Sequence, residues 1–283
     1  MENIKIVFIG GLSNGAIVCN YLQNNKHVDL QLIITYPDTF TYPRMEIING
    51  QNIIKTSEAN TQLENIRQLK PDYIFVAGWS ELLSEELLII PTKGTIGFHP
   101  SKLPFNRGRS VVAWQIEDGY EETALTMFYY NNIPDNGDII AQELIPIEKN
   151  DYCNDVLEKI DKAIYNLMYA YFPLIRLGKA PRKEQILEEG NFRRLRKKSD
   201  SQIEWNQNSE KIYNKIRAIS KPYPGAETIL NNQKMKIWKA DILHDFPFGK
   251  DLSPGNLIAS LHDKTMIVKT KDGFIHILEY DNL

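Results

Sequence analysis

Cysteine is scarce in this sequence: 283 residues contain only two, Cys19 and Cys153. Two thiols so far apart supply neither a disulfide scaffold nor a Cys-based zinc site, since both need clustered cysteines. The five histidines are scattered without metal-ligand spacing, so no metal is expected. Long apolar runs are missing as well. Stretches such as Leu87-Leu88-Ile89-Ile90 fall far short of the ~20 residues that span a bilayer, and no membrane association is expected. The opening residues, Met1-Glu2-Asn3-Ile4-Lys5-Ile6, lack the basic-then-apolar pattern of a signal peptide, which sets the expectation of a soluble, cytoplasmic protein. Charge of one sign is not in excess. Lys and Arg number 33 against 36 Asp and Glu, a net charge of −3, and this argues against a whole-protein nucleic-acid footprint. The glycines of Gly10-Gly11-Leu12-Ser13-Asn14-Gly15 are not spaced as a dinucleotide fingerprint, so a nicotinamide cofactor is not expected.

What the chain does have is the ordinary makeup of a folded protein, 42% hydrophobic and 24% charged. Its first half alternates short β-rich runs with helical stretches. Strands are predicted over Ile4–Ile9, Leu30–Tyr36, Tyr73–Ala77 and Gly94–Phe98, and helices over Ala16–Gln23, Leu63–Leu69 and Ser84–Leu88. This alternation predicts a Rossmann-like, mostly parallel sheet with helices on both faces. Such sheets carry their sites at the carboxyl ends of the strands, here the loops after Ile9, Ala77 and Phe98. From Asn154 to Leu177 the apolar positions Val156, Ile160, Ile164, Leu167 and Met168 repeat at helical spacing. A polar stretch, Gly178–Asp200, follows, with the basic run Arg193-Arg194-Leu195-Arg196-Lys197-Lys198. That run is either a phosphate-binding strip or a solvated linker. Beyond it come a helix over Ser209–Ser220 and five short strands, the last two joined by a turn at Lys271-Asp272-Gly273, the pattern of a small β-barrel. Two domains are expected, 1–199 and 200–283.

The densest chemistry lies in His99-Pro100-Ser101-Lys102-Leu103-Pro104-Phe105-Asn106-Arg107-Gly108-Arg109. It directly follows a strand, so His99 stands at a carboxyl end. The prolines stiffen the backbone beside it, and Arg107 and Arg109 add fixed positive charge. A second segment, Asn132-Ile133-Pro134-Asp135-Asn136-Gly137-Asp138, is a polar turn with two carboxylates. An Asx-type turn accounts for it structurally; a general acid–base pair of His99 with Asp135 or Asp138 accounts for it chemically. Trp114, Trp205 and Trp238 suit core packing or base stacking, and His27, His244, His262 and His276 suit structural or surface positions.

His-Pro-Ser-x-Leu-Pro-x-x-Arg-Gly followed by Asp-x-Gly-Asp resembles the signature of the folate-dependent formyltransferases, with Asp135 placed 36 residues after His99. Arg107-Gly108-Arg109, Trp114, Gly119 and Thr123 are most similar to the members that formylate nucleotide-linked amino sugars. Ile203-Glu204-Trp205 and Ile216–Ala226 resemble the family's OB-like C-terminal module. The resemblance implies transfer of a formyl group from 10-formyltetrahydrofolate to an amine. It implies His99 and Asp135 as catalytic residues, acting at a tetrahedral intermediate. Phe75, Val76, Ala77, Gly78, Trp79, Gly97 and Asp138 would lie along the folate, and Ser101, Arg107, Gly108 and Arg109 along the acceptor. The family pattern also has an asparagine two residues before the histidine, and here that residue is Gly97. Three explanations stay open: a substitute donor, such as a backbone N–H, a water, Asn106 or Asn136; a slower enzyme or unusual acceptor; or a chain that kept the fold without the activity. Methionyl-tRNA formylation and hydrolysis of formyltetrahydrofolate are the alternative activities, a non-catalytic binder is a third reading, and a homodimer is open.

Overall fold

The computed structural model describes residues 3–42, 44–260 and 265–283. His262, one of the scattered histidines, lies outside the described residues. The chain divides into two compact units that interleave in sequence. The first comprises Met1–Gly108, Thr123–Ile145 and Glu158–Arg193, and the second Arg109–Glu122, Pro146–Leu157 and Arg194–Leu283.

The first unit is built on a seven-stranded sheet. Its strands are β1 (Ile4–Gly10), β2 (Val28–Thr35), β3 (Ile53–Lys55), β4 (Tyr73–Ala77), β5 (Gly94–His99), β7 (Glu122–Tyr129) and β8 (Ile139–Pro146), in the order β3-β2-β1-β4-β5-β7-β8. The five strands from β3 to β5 run parallel, and β7 joins β5 antiparallel. A buried parallel strand has both faces covered, and the apolar runs obey this. Val7, Ile9, Ile34, Ile74 and Val76 point to one side, where they pack with Ile66 of α2 (Leu63–Leu69) and Leu87 of α3 (Glu85–Leu88). On the other side Phe75 meets Phe172 of α5 (Cys153–Arg176), which in turn contacts Tyr21 of α1 (Leu12–Gln23). The Tyr73 hydroxyl donates to the Ile175 carbonyl at 2.9 Å. The Rossmann-like arrangement expected from the alternation is therefore present. The short strands β6 (Arg107–Gly108) and β9 (Phe192–Arg193) form a separate two-stranded pair.

The second unit carries a five-stranded antiparallel sheet, in the order β10-β11-β14-β13-β12. These strands are β10 (Ala226–Leu230), β11 (Gln233–Leu243), β12 (Leu257–Ser260), β13 (Met266–Lys269) and β14 (Phe274–Asn282). Helix α6 (Ser209–Ile219) buries Ile212, Ile216 and Ala218, and the Ser220 hydroxyl after it donates to the Trp238 carbonyl at 2.7 Å. This is the small barrel-type module expected. Helix α4 (Val111–Glu117), which the sequence pattern did not reveal, belongs to the same unit. No helix among the described residues is long and apolar enough to cross a membrane.

Candidate active site

Strand β5 delivers His99 to the carboxyl end of the sheet, with Thr126 of β7 opposite it in register. The residues after it turn sharply because their polar groups are satisfied locally. Ser101, fully buried, donates its hydroxyl to the Phe105 carbonyl at 2.7 Å, and Thr126 Oγ1 donates to the Ser101 carbonyl at 2.6 Å. Gln142 of β8 donates to the Leu103 carbonyl at 2.9 Å. The loop thus folds back on the strand it leaves, and the Asn106 carbonyl accepts a hydrogen bond from His99 Nε2 at 2.8 Å. A carbonyl oxygen only accepts, so Nε2 carries the hydrogen there.

The other ring nitrogen faces the second polar segment. Asp135 Oδ1 lies 3.4 Å from His99 Nδ1, and Asp135 Oδ2 accepts the Gly108 N–H at 2.8 Å. Asp135 sits in the left-handed region, with φ +56°, a conformation that Asp and Asn tolerate better than other side chains. Buried Gln185 holds this turn, donating through Nε2 to the carbonyls of Asp135 at 3.0 Å and Gly137 at 2.7 Å. Gly108 has φ +98°, and a β-carbon there would stand 2.2 Å from the Arg193 carbonyl. Only glycine lets β6 lie this close to β9 while offering its N–H to Asp135.

The structure therefore brings together His99, Asp135 and Gly108, with Arg107 next to them in β6. Arg107 Nη2 lies 3.4 Å from the Leu187 carbonyl, and its Nε is buried without a hydrogen-bond partner among the described residues. Asp138 is not in this group: Arg182 pairs with it at 3.4 Å, the guanidinium stacked over Tyr129. Arg109 is exposed and belongs to the other compact unit. Gly97 is two residues before His99, on the same face of β5, and pairs with Val76 of β4. Phe75, Val76 and Ala77 are buried, whereas Gly78 and Trp79 are partly accessible, Trp79 stacking on Tyr36 at 4.3 Å. Sequence reasoning missed Gln185, Asn191 and Tyr130. Asn191 anchors the loop through its Oδ1, which accepts the Asn106 N–H at 2.5 Å; Tyr130 lies against Gly97.

A buried imidazole between a carboxylate and a carbonyl can hold a proton and release it to a reacting group. No group of three or more His, Cys, Asp or Glu side chains among the described residues could hold a metal ion.

Residues 4–171 match the family model described as formyl transferase, and residues 196–282 match the formyl transferase C-terminal domain. The chain belongs to the formyl transferase family. Among solved structures, one that is similar is the N-formyltransferase from Helicobacter canadensis in complex with folinic acid and dTDP-3-aminofucose. Identity is 20%, coverage 98% of this chain and 100% of that one, and the TM-score 0.75. WlaRD, a sugar 3N-formyl transferase solved in the presence of dTDP and 5-N-formyl-THF, is 19% identical over 100% of this chain and 99% of that one, with a TM-score of 0.71. HypX from Aquifex aeolicus in complex with tetrahydrofolic acid is 15% identical, with a TM-score of 0.72. It matches 99% of this chain, which spans only 44% of HypX. At these identities the likenesses establish a shared fold.

Proposed function

We propose that this family member is a cytoplasmic enzyme of glycan biosynthesis that transfers a formyl group to the amine of a nucleotide-linked amino sugar. The observation that carries the reading is the His99–Asp135 pair, 3.4 Å apart at the carboxyl end of β5, in a chain that matches the formyl transferase family. The end-to-end likeness to structures of sugar N-formyltransferases supports the choice of acceptor.

10-Formyltetrahydrofolate supplies the formyl group. The residues present fit such a flat donor. Gly78 and Trp79 become accessible at the end of β4, one strand from His99. The buried residues Phe75, Val76 and Ala77 back that surface from within the sheet. The amine nitrogen bonds to the formyl carbon, the bond from that carbon to the folate nitrogen breaks, and the proton the amine loses ends on the folate nitrogen. Asp135 orients the ring and its carboxylate relays that proton, while His99 keeps its Nε2 hydrogen and turns that hydrogen bond from the Asn106 carbonyl to the formyl oxygen as negative charge develops there. Ser101, Arg107, Gly108 and Arg109 contribute to the acceptor side, and Asp138 to the folate side. The boundary between catalytic and C-terminal portions falls near residue 200.

The test is a panel assay. Purified protein and 10-formyltetrahydrofolate are combined with nucleotide-linked amino sugars, with methionyl-tRNA, or with no acceptor, and folate release is followed with acceptor mass. A formyl-sized mass gain on a sugar is expected. Mass gain on methionyl-tRNA alone, or folate release without any acceptor, overturns the reading in favour of the tRNA enzyme or the hydrolase.

A further inference from the structure

Gly97 replaces a side chain that could have donated to the reacting oxygen, and the structure shows what fills its place. A β-carbon at 97 would lie 2.0 Å from one ring carbon of Tyr130, 2.6 Å from the carbon bearing the hydroxyl, and 2.8 Å from the hydroxyl oxygen itself. No side chain fits at 97 while that ring is there. The ring is held from several directions. Gly97 pairs with Phe128 in register, the Tyr130 N–H just beyond β7 donates to the Thr95 carbonyl at 2.8 Å, and the ring stacks on Phe128 at 5.0 Å. It also packs against the cluster containing Val76 and Trp79.

The phenol is thus delivered to the face of β5 that carries His99. Its hydroxyl has no hydrogen-bond partner among the described residues, so it can donate beside His99 Nε2, which must first leave the Asn106 carbonyl. The amide of Asn106 is no substitute donor in place, because its Oδ1 is turned to Arg193 Nε at 2.8 Å. Burial, then the nearby charge of Asp135, pushes the Tyr130 phenol above its usual range, so at neutral pH it keeps its hydrogen.

We infer that Tyr130 is a catalytic residue whose hydroxyl donates a hydrogen bond to the formyl oxygen as negative charge develops on it, and that Gly97 is the small residue that admits its ring. The inference rests on the formyl-transfer reading. The step balances without further reactants: the carbonyl electron pair moves onto the oxygen as the amine attacks, and it returns as the carbon–folate nitrogen bond breaks, so Tyr130 neither gains nor loses its proton.

Tyr130→Phe removes the hydroxyl and leaves the ring packed. With the acceptor identified by the panel, kcat should fall about 10²- to 10³-fold, the cost of one oxyanion donor. KM for each substrate should stay within about threefold, since the interaction belongs to the transition state, and the thermal midpoint should not move. The paired change Gly97→Asn with Tyr130→Ala restores an amide to the vacated volume and should recover at least about tenfold over Tyr130→Ala alone. A Tyr130→Phe enzyme retaining more than about a third of wild-type kcat overturns this inference and leaves formyl transfer standing. A wild-type chain that formylates no amine removes both.

Discussion

Asp135 is the residue on which two neighbours converge: one carboxylate oxygen takes the Gly108 N–H and the other faces His99. Its left-handed backbone makes asparagine the clean probe, because alanine would add strain to the loss of charge. In Asp135→Asn the amide keeps the shape, but one of its two ends becomes a donor. It cannot accept from Gly108 while presenting an acceptor to His99. We expect kcat to fall by about 10²- to 10⁴-fold with the melting temperature nearly unchanged, and His99→Ala to fall at least as far. Steady-state kinetics beside a thermal melt check both. Full activity in either variant removes the pair from the chemistry.

Between residues and units lies one stretch of chain whose importance was hidden. Residues 182–193 follow α5 as a polar run, indistinguishable in pattern from a solvated linker. In the structure Lys183 bridges Ile139, Gln185 clamps the turn of Asp135, Asn191 fixes the loop of Asn106, and β9 pairs with β6. Both halves of the site are tied to this one segment. Gln185→Leu keeps the volume and deletes two donated hydrogen bonds, so unfolding in urea should show a loss of about 2 kcal/mol, together with a lower kcat. An unchanged kcat would mean that the turn holds itself. The contrast shows what was legible. His99 and Asp135 could be read because their chemistry sits in short contiguous motifs, and the sheet because buried parallel strands are short, nearly unbroken apolar runs that alternate with helical stretches. The two-residue strands β6 and β9 are too short to have a period. Gln185 acts on Asp135 across 50 residues, and Tyr130 looks like one more aromatic at a strand end. The basic run resolves for the same reason. Arg194 pairs with Asp200 at 2.7 Å, and Arg196 pairs with Glu117 at 2.6 Å and stacks on Trp114, so these two arginines are engaged in contacts invisible in sequence, while Lys197 and Lys198 are exposed.

Folding shifts the carboxylates of the two units differently, and this gives the units different responses to acid. In the second unit, the Arg194 guanidinium holds Asp200 well below the usual carboxylate range, and Lys221 lowers Glu279. A carboxylate depressed by folding stabilises the native state at pH values above its unfolded pKa, about 4, and that contribution is lost as pH falls toward the folded value. In the first unit the effects oppose one another. Asp72 is lowered, since the Lys5 N–H and Lys93 outweigh its burial, whereas burial raises Asp161 despite Arg44. The raised carboxylate destabilises the native state at neutral pH, and that cost disappears in acid. The second unit should therefore weaken first as pH drops below about 4. Three of the four tryptophans, Trp114, Trp205 and Trp238, lie in that unit, while most of the helical signal comes from α1, α2 and α5. Titrated from pH 7 to pH 2, tryptophan fluorescence should change before far-UV ellipticity is lost. Asp200→Asn, which forgoes the ion pair at every pH, should lower stability at neutrality and flatten the acid limb of the fluorescence curve. Coincident transitions, or ellipticity lost first, would show that the two units unfold as one and that these carboxylates do not decide the order.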